Sequence, residues 1–249
     1  MSNAPLQVET PAPNVVTIGF DTPDRRNALD EAAVDAIDEV LIEYKSEPSI
    51  LIFHSTTPGM FVSGADIAEL RDRTAADALR SINAGLFERI ETHRWPTIAA
   101  VDGYALGGGC ELSMACDLRI ATVESSFGQP ELGLGILAGA GANWRLRELV
   151  GLGLARRMLF TGARIRGEEA LASGLIDQLS SSEMLMKDAL AMAASISKNS
   201  WQALELTKLA LAQNRRPTTG FDVAAQASLF ESQDKRDRMD AFLRQSRMR

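Results

Sequence analysis

Four short runs of β-branched or wholly apolar residues, separated by amphipathic helical patterns, set the limits on what this chain can fold into. Val15-Val16-Thr17-Ile18-Gly19-Phe20 is β-branched and of strand length. Ile50-Leu51-Ile52-Phe53 is continuously apolar, too short for a helix and suited to a strand buried on both faces. Pro96 restarts the chain as the strand Thr97-Ile98-Ala99-Ala100-Val101, and residues 118–123 give the fourth run. Between the first two, Pro23-Asp24-Arg25-Arg26-Asn27 reads as a turn. Val34, Ile37, Val40 and Leu41 then recur at helical spacing, with Asp30 placed to cap the helix and Leu29 and Val34 to staple its start. Leu79, Ile82, Leu86 and Ile90 mark a second amphipathic helix. After about Ala140 the strand signal fades, apart from a short piece near Leu175-Ile176. Helical patterns follow at 141–150, 152–160, 183–197, 201–213 and 221–245. Strands alternating with helices, and then helices alone, predict an α/β part over residues 1–180 and a helical segment over 181–249.

With 249 residues the chain is long enough for one large domain or a domain with an appendage. Its net charge of −7 argues against nucleic acid as the main partner, because phosphate neutralisation needs clustered Lys and Arg. Cys110 and Cys116 match no zinc spacing, and only His54 and His93 are present to help them, so no metal site is expected. Two cysteines in a chain of this size fit reduced thiols better than a disulfide framework. The first residues carry neither a basic end nor an apolar run, and no stretch approaches a membrane span. The expectation is a cytoplasmic protein with no membrane partner.

Two glycine-rich stretches, each followed by a glutamate, are the main chemical signal. Gly103-Tyr104-Ala105-Leu106-Gly107-Gly108-Gly109-Cys110-Glu111 leads into a predicted short helix over 110–116. Glycine lets a ligand approach the backbone, and a helix start offers unpaired N–H groups and the positive end of a dipole, which together suit an oxyanion. The spacing is not that of a dinucleotide fingerprint or a P-loop. Phe127-Gly128-Gln129-Pro130-Glu131 precedes Gly133, Gly135, Gly139 and Gly141, a loop able to present a carboxyl to a cavity where burial raises its pKa. A third stretch, Phe61-Val62-Ser63-Gly64-Ala65-Asp66-Ile67, offers the Ala65 N–H as a second oxyanion donor and Asp66 as a helix cap. Each of these, alone, also reads as an ordinary turn, a surface acid or a capped helix. Ser63 lacks a nucleophile elbow and a paired histidine. The two histidines read as structural, and Trp95, Trp144 and Trp201 as core or interface residues.

The order of the Ala65 loop, Gly-Gly-Gly-Cys-Glu and Phe-Gly-Gln-Pro-Glu resembles the crotonase superfamily, the enoyl-CoA hydratase and isomerase proteins. Arg26-Asn27-Ala28-Leu29, Thr161-Gly162, Glu169-Ala170, Gly174-Leu175 and Ala241-Phe242 extend the resemblance over nearly the whole chain. It implies an α/β, crotonase-like spiral of ββα units with a C-terminal helical segment that serves trimerisation. The implied assembly is a homotrimer or a dimer of trimers.

The implied substrate is an acyl-CoA thioester, with coenzyme A part of the substrate and no separate cofactor. The oxyanion hole falls on the N–H groups of Ala65 and Gly108, and the catalytic acids on Glu111, which activates water for C3, and Glu131, which protonates C2. Gly139 helps to place the water. The CoA moiety falls near Arg26, Ala28, Asp66, Ile67 and Ala68. Preorganised donors of this kind contribute roughly 3–4 kcal/mol each and proton placement about 10²–10⁴-fold. Two acids favour 2-enoyl-CoA hydration, in a setting such as β-oxidation. The alternatives are a Δ3,Δ2-enoyl-CoA isomerase, which can work with the acid at Glu131 alone, and a non-catalytic acyl-CoA-binding member of the fold.

The sequence departs from the family at two places. The common Ile-Pro-Gly-Ala-Gly-Gly-Thr-Gln-Arg-Leu segment is replaced by Leu137-Ala138-Gly139-Ala140-Gly141-Ala142-Asn143-Trp144-Arg145-Leu146. The C-terminal Lys-Arg-Lys is replaced by Gln245-Ser246-Arg247, leaving Arg244 or Arg247 as candidates for the CoA contact.

Overall fold

The computed structural model describes residues 5–65, 80–212, 233 and 237. The chain divides into two compact units, Met1–Ala194 and Ser195–Arg249, a boundary C-terminal to the expected 180/181 division.

In the first unit, β1 (Leu6–Ala12) and β2 (Val15–Phe20) form an antiparallel hairpin. Helix α1 (Glu31–Glu43) follows, then β3 (Ile50–Ser55) and β4 (Met60–Val62). Helix α2 (Ile82–Glu91) leads to β5 (Thr97–Val101), β6 (Tyr104–Leu106) and α3 (Gly108–Ala115). Next come β7 (Leu118–Thr122), β8 (Ser126–Gly128), a 3-10 turn at Glu131–Leu134 and α4 (Ala142–Thr161). The unit closes with β9 (Ile165–Arg166), α5 (Gly167–Ser173), β10 (Gln178–Ser180) and α6 (Leu185–Ile196), whose last residues pass into the second unit. In the second unit α7 spans Trp201–Ala212 and buries no side chain.

Among the described residues the strands sort into two sheets. Six form the order β1-β2-β3-β5-β7-β10, parallel from β2 onward, and four form β4-β6-β8-β9, parallel through β8. Each pass of the chain lays one strand in the large sheet and the next in the small one. Thus β3 is followed by β4, β5 by β6 and β7 by β8, and the repetition makes a spiral. The core is filled from both sheets and from α1, α2 and α3, with Phe53, Phe61, Phe87 and Phe127 fully buried.

The elements read from sequence are those with buried, regular patterns. Strands β2 and β5 and the buried part of β3 are enclosed on both faces, which is why their sequences are continuously apolar. Asp30 caps α1, its side chain accepting from Ala33 N at 2.8 Å. The two helices expected at 141–150 and 152–160 are one element broken at Gly151, whose φ of 75° is not helical. The structure differs elsewhere. Helix α3 starts at Gly108, earlier than the expected 110, because Gly107 takes the cap position with φ 51°. The strand expected near Leu175-Ile176 lies at Gln178–Ser180, and Leu175 and Ile176 are buried in the turn before it. Of the tryptophans expected in the core or at an interface, Trp95 is buried and Trp144 is 48% exposed. Apart from Gln233 and Asp237, the helix expected at 221–245 lies outside the described residues.

Candidate active site

The small sheet assembles the site. Strands β4, β6 and β8 run parallel side by side, so their C-terminal ends meet. Those ends carry Ser63-Gly64-Ala65, Gly107-Gly108 and Gln129-Pro130-Glu131 respectively. Three motifs far apart in sequence become neighbours because each directly follows a strand of one sheet, the usual place for a ligand on parallel strands.

Two glycines set the spacing. A side chain on Gly109 would bring its Cβ to 1.9 Å from the Val62 carbonyl oxygen, so only glycine lets α3 pack against β4 this closely. At Gly107 a Cβ would meet Glu131 Oε1 at 2.7 Å, which places the Glu131 carboxyl over the start of α3. The Gly107 N–H donates to Gly128 O at 2.9 Å and continues the β6–β8 pairing into the site.

Gly108 is the first residue of α3, so its N–H has no partner within the helix. A Cβ placed on Gly108 would lie 3.7 Å from the Ala65 nitrogen, so the start of α3 and the Ala65 segment are direct neighbours. The Ala65 segment is tied to the turn expected to meet CoA. Leu29 N donates to Gly64 O at 2.9 Å and Ser63 N to Arg26 O at 3.2 Å. Buried Asn27 locks that turn. Its Nδ2 donates to Phe61 O and Ser55 Oγ, both at 2.8 Å, and its Oδ1 accepts from Thr22 N at 2.9 Å. Arg26 is exposed and Ala28 is buried. Asp66, Ile67, Ala68, Arg244 and Arg247 lie outside the described residues.

The two glutamates occupy contrasting surroundings. Glu111 is buried in the first turn of α3. Its Oε1 accepts from Ala140 N at 2.8 Å and Ala142 N at 3.0 Å. Burial raises its pKa, while these two N–H groups and the Arg145 guanidinium favour its charged form. Glu131, in the 3-10 turn after β8, is half-buried. Burial pushes its pKa from the ordinary 4.5 up to about 7, opposed by its own backbone N–H and reinforced by the Glu111 charge. Arg145 is itself buried and fixes the loop around Glu111. It donates to Ala140 O at 3.0 Å and to Glu91 at 2.5 Å. Gly139 is exposed on this loop.

The structure therefore brings Ala65, Gly108, Glu111 and Glu131 together and ties Arg26 and Ala28 to the same region. Sequence reasoning missed the Ala140 and Ala142 N–H groups and Arg145. The signal for the first two was present: a glycine-spaced loop running into a helix start leaves backbone N–H groups in search of an acceptor. Among the described residues no group of three or more His, Cys, Asp or Glu is placed to hold a metal ion. No helix among them is long and apolar enough to cross a membrane.

Comparison with known proteins identifies the scaffold. The family model described as enoyl-CoA hydratase/isomerase matches residues 11–247. The short-chain-enoyl-CoA hydratase of Clostridium acetobutylicum is 36% identical over 237 residues, covering 92% of this chain and 91% of that protein. The crotonyl-CoA hydratase of Syntrophomonas wolfei is 35% identical, covering 89% and 88%. The crystal structure of enoyl-CoA hydratase from Bacillus anthracis superposes with a TM-score of 0.92 at 29% identity, covering 97% of this chain and 96% of that one. The ββα spiral is thus the crotonase fold of these hydratases.

Proposed function

Because the chain belongs to the enoyl-CoA hydratase/isomerase family, we propose that it is an enoyl-CoA hydratase, adding water reversibly across the C2=C3 bond of a 2-enoyl-CoA. The observation that carries this reading is the pair of carboxyls in opposed environments beside two closely spaced backbone N–H groups. Glu111 has two N–H donors and a guanidinium that favour the carboxylate, and Glu131 holds its proton up to about 7. Two acids separated in this way are divided into base and acid.

The thioester oxygen rests on the N–H groups of Ala65 and Gly108. Glu111 takes a proton from a water placed with the help of the Gly139 N–H, and the water oxygen bonds to C3. The C2=C3 electron pair moves into the thioester as an enolate, whose negative oxygen the two N–H groups stabilise. The enolate then takes the proton of Glu131 at C2. The dehydration direction reverses the roles. Glu111 then loses its gained proton and Glu131 regains one by exchange with solvent, so the cycle consumes water only and no separate cofactor enters. The CoA moiety lies along Arg26, Ala28 and residues 66–68. The acyl group extends toward the apolar stretch after Glu131, where Leu132, Leu134, Leu137 and Trp144 are all about half exposed.

The test is hydration of crotonyl-CoA followed across pH. Glu131 must be protonated to serve C2, so the rate falls as pH rises through about 7. Absence of hydration on short-, medium- and long-chain 2-enoyl-CoA substrates would overturn the reading. Isomerisation of a 3-enoyl-CoA that depends on Glu131 but not on Glu111 would replace it with the isomerase. The two N–H groups dedicated to Glu111 favour the two-acid reaction.

Residues 181–249 form the trimerisation segment in this proposal, with the active unit a homotrimer or a dimer of trimers. Helix α7 supports this, since it buries no side chain and leaves Leu209 and Leu211 exposed. Sedimentation equilibrium is expected to return a multiple of three chains; a monomer would remove the assembly. The cytoplasm is the proposed location, in keeping with two buried free thiols and checkable by cell fractionation.

A further inference from the structure

The loop that carries the Gly139 N–H and both donors to Glu111 is tied to the first turn of α4. Asn143 Nδ2 donates to Ala138 O at 2.7 Å, and Arg145 Nη1 donates to Ala140 O at 3.0 Å. The peptide bonds of the loop are trans, so in each planar unit the N–H points away from the carbonyl. The Ala138–Gly139 unit is held by Asn143 at its carbonyl. The Gly139–Ala140 unit is held by Glu111 at its N–H, and the Ala140–Gly141 unit by Arg145 at its carbonyl. The unit that donates to the carboxyl is thus fixed on both sides by units tied to α4. Arg145 is in turn aimed from α2. Its side chain is 4% exposed, and Nε and Nη2 both donate to Oε2 of Glu91, at 3.2 and 2.5 Å. That leaves Nη1 for Ala140. Gly141 provides the room, since a Cβ there would lie 1.9 Å from Nη1.

We propose that Arg145 and Asn143 are positioning residues for the water-activating half of the site. They set the loop so that the Ala140 and Ala142 N–H groups stay on Glu111 and the Gly139 N–H keeps one direction. The proposal rests on the reading of Glu111 as the base that takes a proton from water. Two N–H donors favour a carboxylate in its charged form, and losing them disfavours it. Releasing the loop therefore raises the Glu111 pKa, and the acid limb of the rate profile, where the base takes up a proton, moves to higher pH. The Arg145 charge acts in the same direction. Among the described residues, the other charge facing Glu111 is Glu131, from the 3-10 turn. Cys110 beside it is neutral, its pKa pushed up to about 12 by burial. On α2, Arg89 is paired with Asp38 and Glu91 with Arg145, and Glu88 is exposed. Arg147 and Glu148 of α4 and Tyr104 of β6 are exposed, and β4 has no titratable side chain.

The experiment is the pH profile of kcat for crotonyl-CoA hydration in Arg145→Met, Arg145→Lys and Asn143→Ala, with melting temperatures alongside. In Arg145→Met the expected result is a kcat about 10- to 100-fold lower, with KM little changed. The acid limb moves up by about one pH unit, while the alkaline limb set by Glu131 stays in place. Arg145→Lys keeps the charge but cannot reach Glu91 and Ala140 together, and it falls between methionine and the parent. Asn143→Ala changes no charge, so any movement of its acid limb comes from the loop N–H groups. It is expected to move the limb up by about half a unit and to lower kcat about 3- to 10-fold. A rate loss in Arg145→Met with the acid limb unmoved overturns the proposal. So does an alanine variant that matches the parent in both quantities, because the proposal needs both carbonyls held. Should Arg145→Met not fold, Asn143→Ala decides alone, since Asn143 is exposed. Glu111→Gln separates the two readings. If that variant stays active, Glu111 is not the base and both readings fall. If it is inactive while Arg145→Met and Asn143→Ala behave as the parent, only the positioning role fails.

Discussion

Glu131→Gln is expected to lower kcat for crotonyl-CoA hydration by about 10²–10⁴-fold, the usual range for a placed general acid, while KM changes little. Glutamine has the size of the acid and no proton to give near neutral pH, so the change removes the chemistry and leaves the shape. Folding should not suffer. Burial disfavours the charged form of Glu131 and raises its pKa to about 7, so a neutral side chain is no worse accommodated there. Glu111→Gln is expected to lose activity as well, but through a different cause. There the carboxylate accepts from Ala140 and Ala142, and an amide oxygen can replace only the acceptance, not the basicity. Steady-state kinetics with a melting curve for each variant checks both. A Glu131→Gln enzyme retaining more than about a tenth of the parent rate would remove Glu131 from proton transfer.

How much of this was readable in advance follows from burial and length. Strands β2 and β5 advertise themselves because both faces are enclosed, so every position is apolar or small. Strands β4, β6 and β8 have three residues each, too few to set up a period, yet they are the ones that place the site. The residues of the site were legible as motifs, since glycine and glutamate in these orders have few other uses together. Their convergence was not, because it depends on the pairing of Met60 with Tyr104 and of Leu106 with Gly128 across strands that leave no pattern. Arg145 looked like one more helix residue. Its burial and its hold on the Ala140 carbonyl are set by the turn at Gly141, whose φ is 125°.

Gly108→Pro is expected to lower kcat by about 10²–10³-fold or more while the fold persists, because it deletes one N–H of the proposed oxyanion hole and nothing the helix needs. Proline is well tolerated at the first position of a helix, where the N–H has no partner within the helix. The residue before a proline must avoid the α region, and Gly107, with φ 51° and ψ −123°, already does. A Cβ at Gly108 would stand 3.4 Å from Gly64 Cα, close but not overlapping, so the Cβ of proline is accommodated with a shift of a few tenths of an ångström at most. What the ring carbon on nitrogen does occupy is the position of the enolate oxygen. Gly109→Ala is the control with the opposite signature. Its Cβ would lie 1.9 Å from the Val62 oxygen, so α3 and β4 must separate and the melting temperature must drop with the activity. Ala65 retains its N–H in both variants. A Gly108→Pro enzyme that unfolds as readily as Gly109→Ala would assign Gly108 to packing. One that is stable and inactive would make its N–H the donor on which the enolate depends.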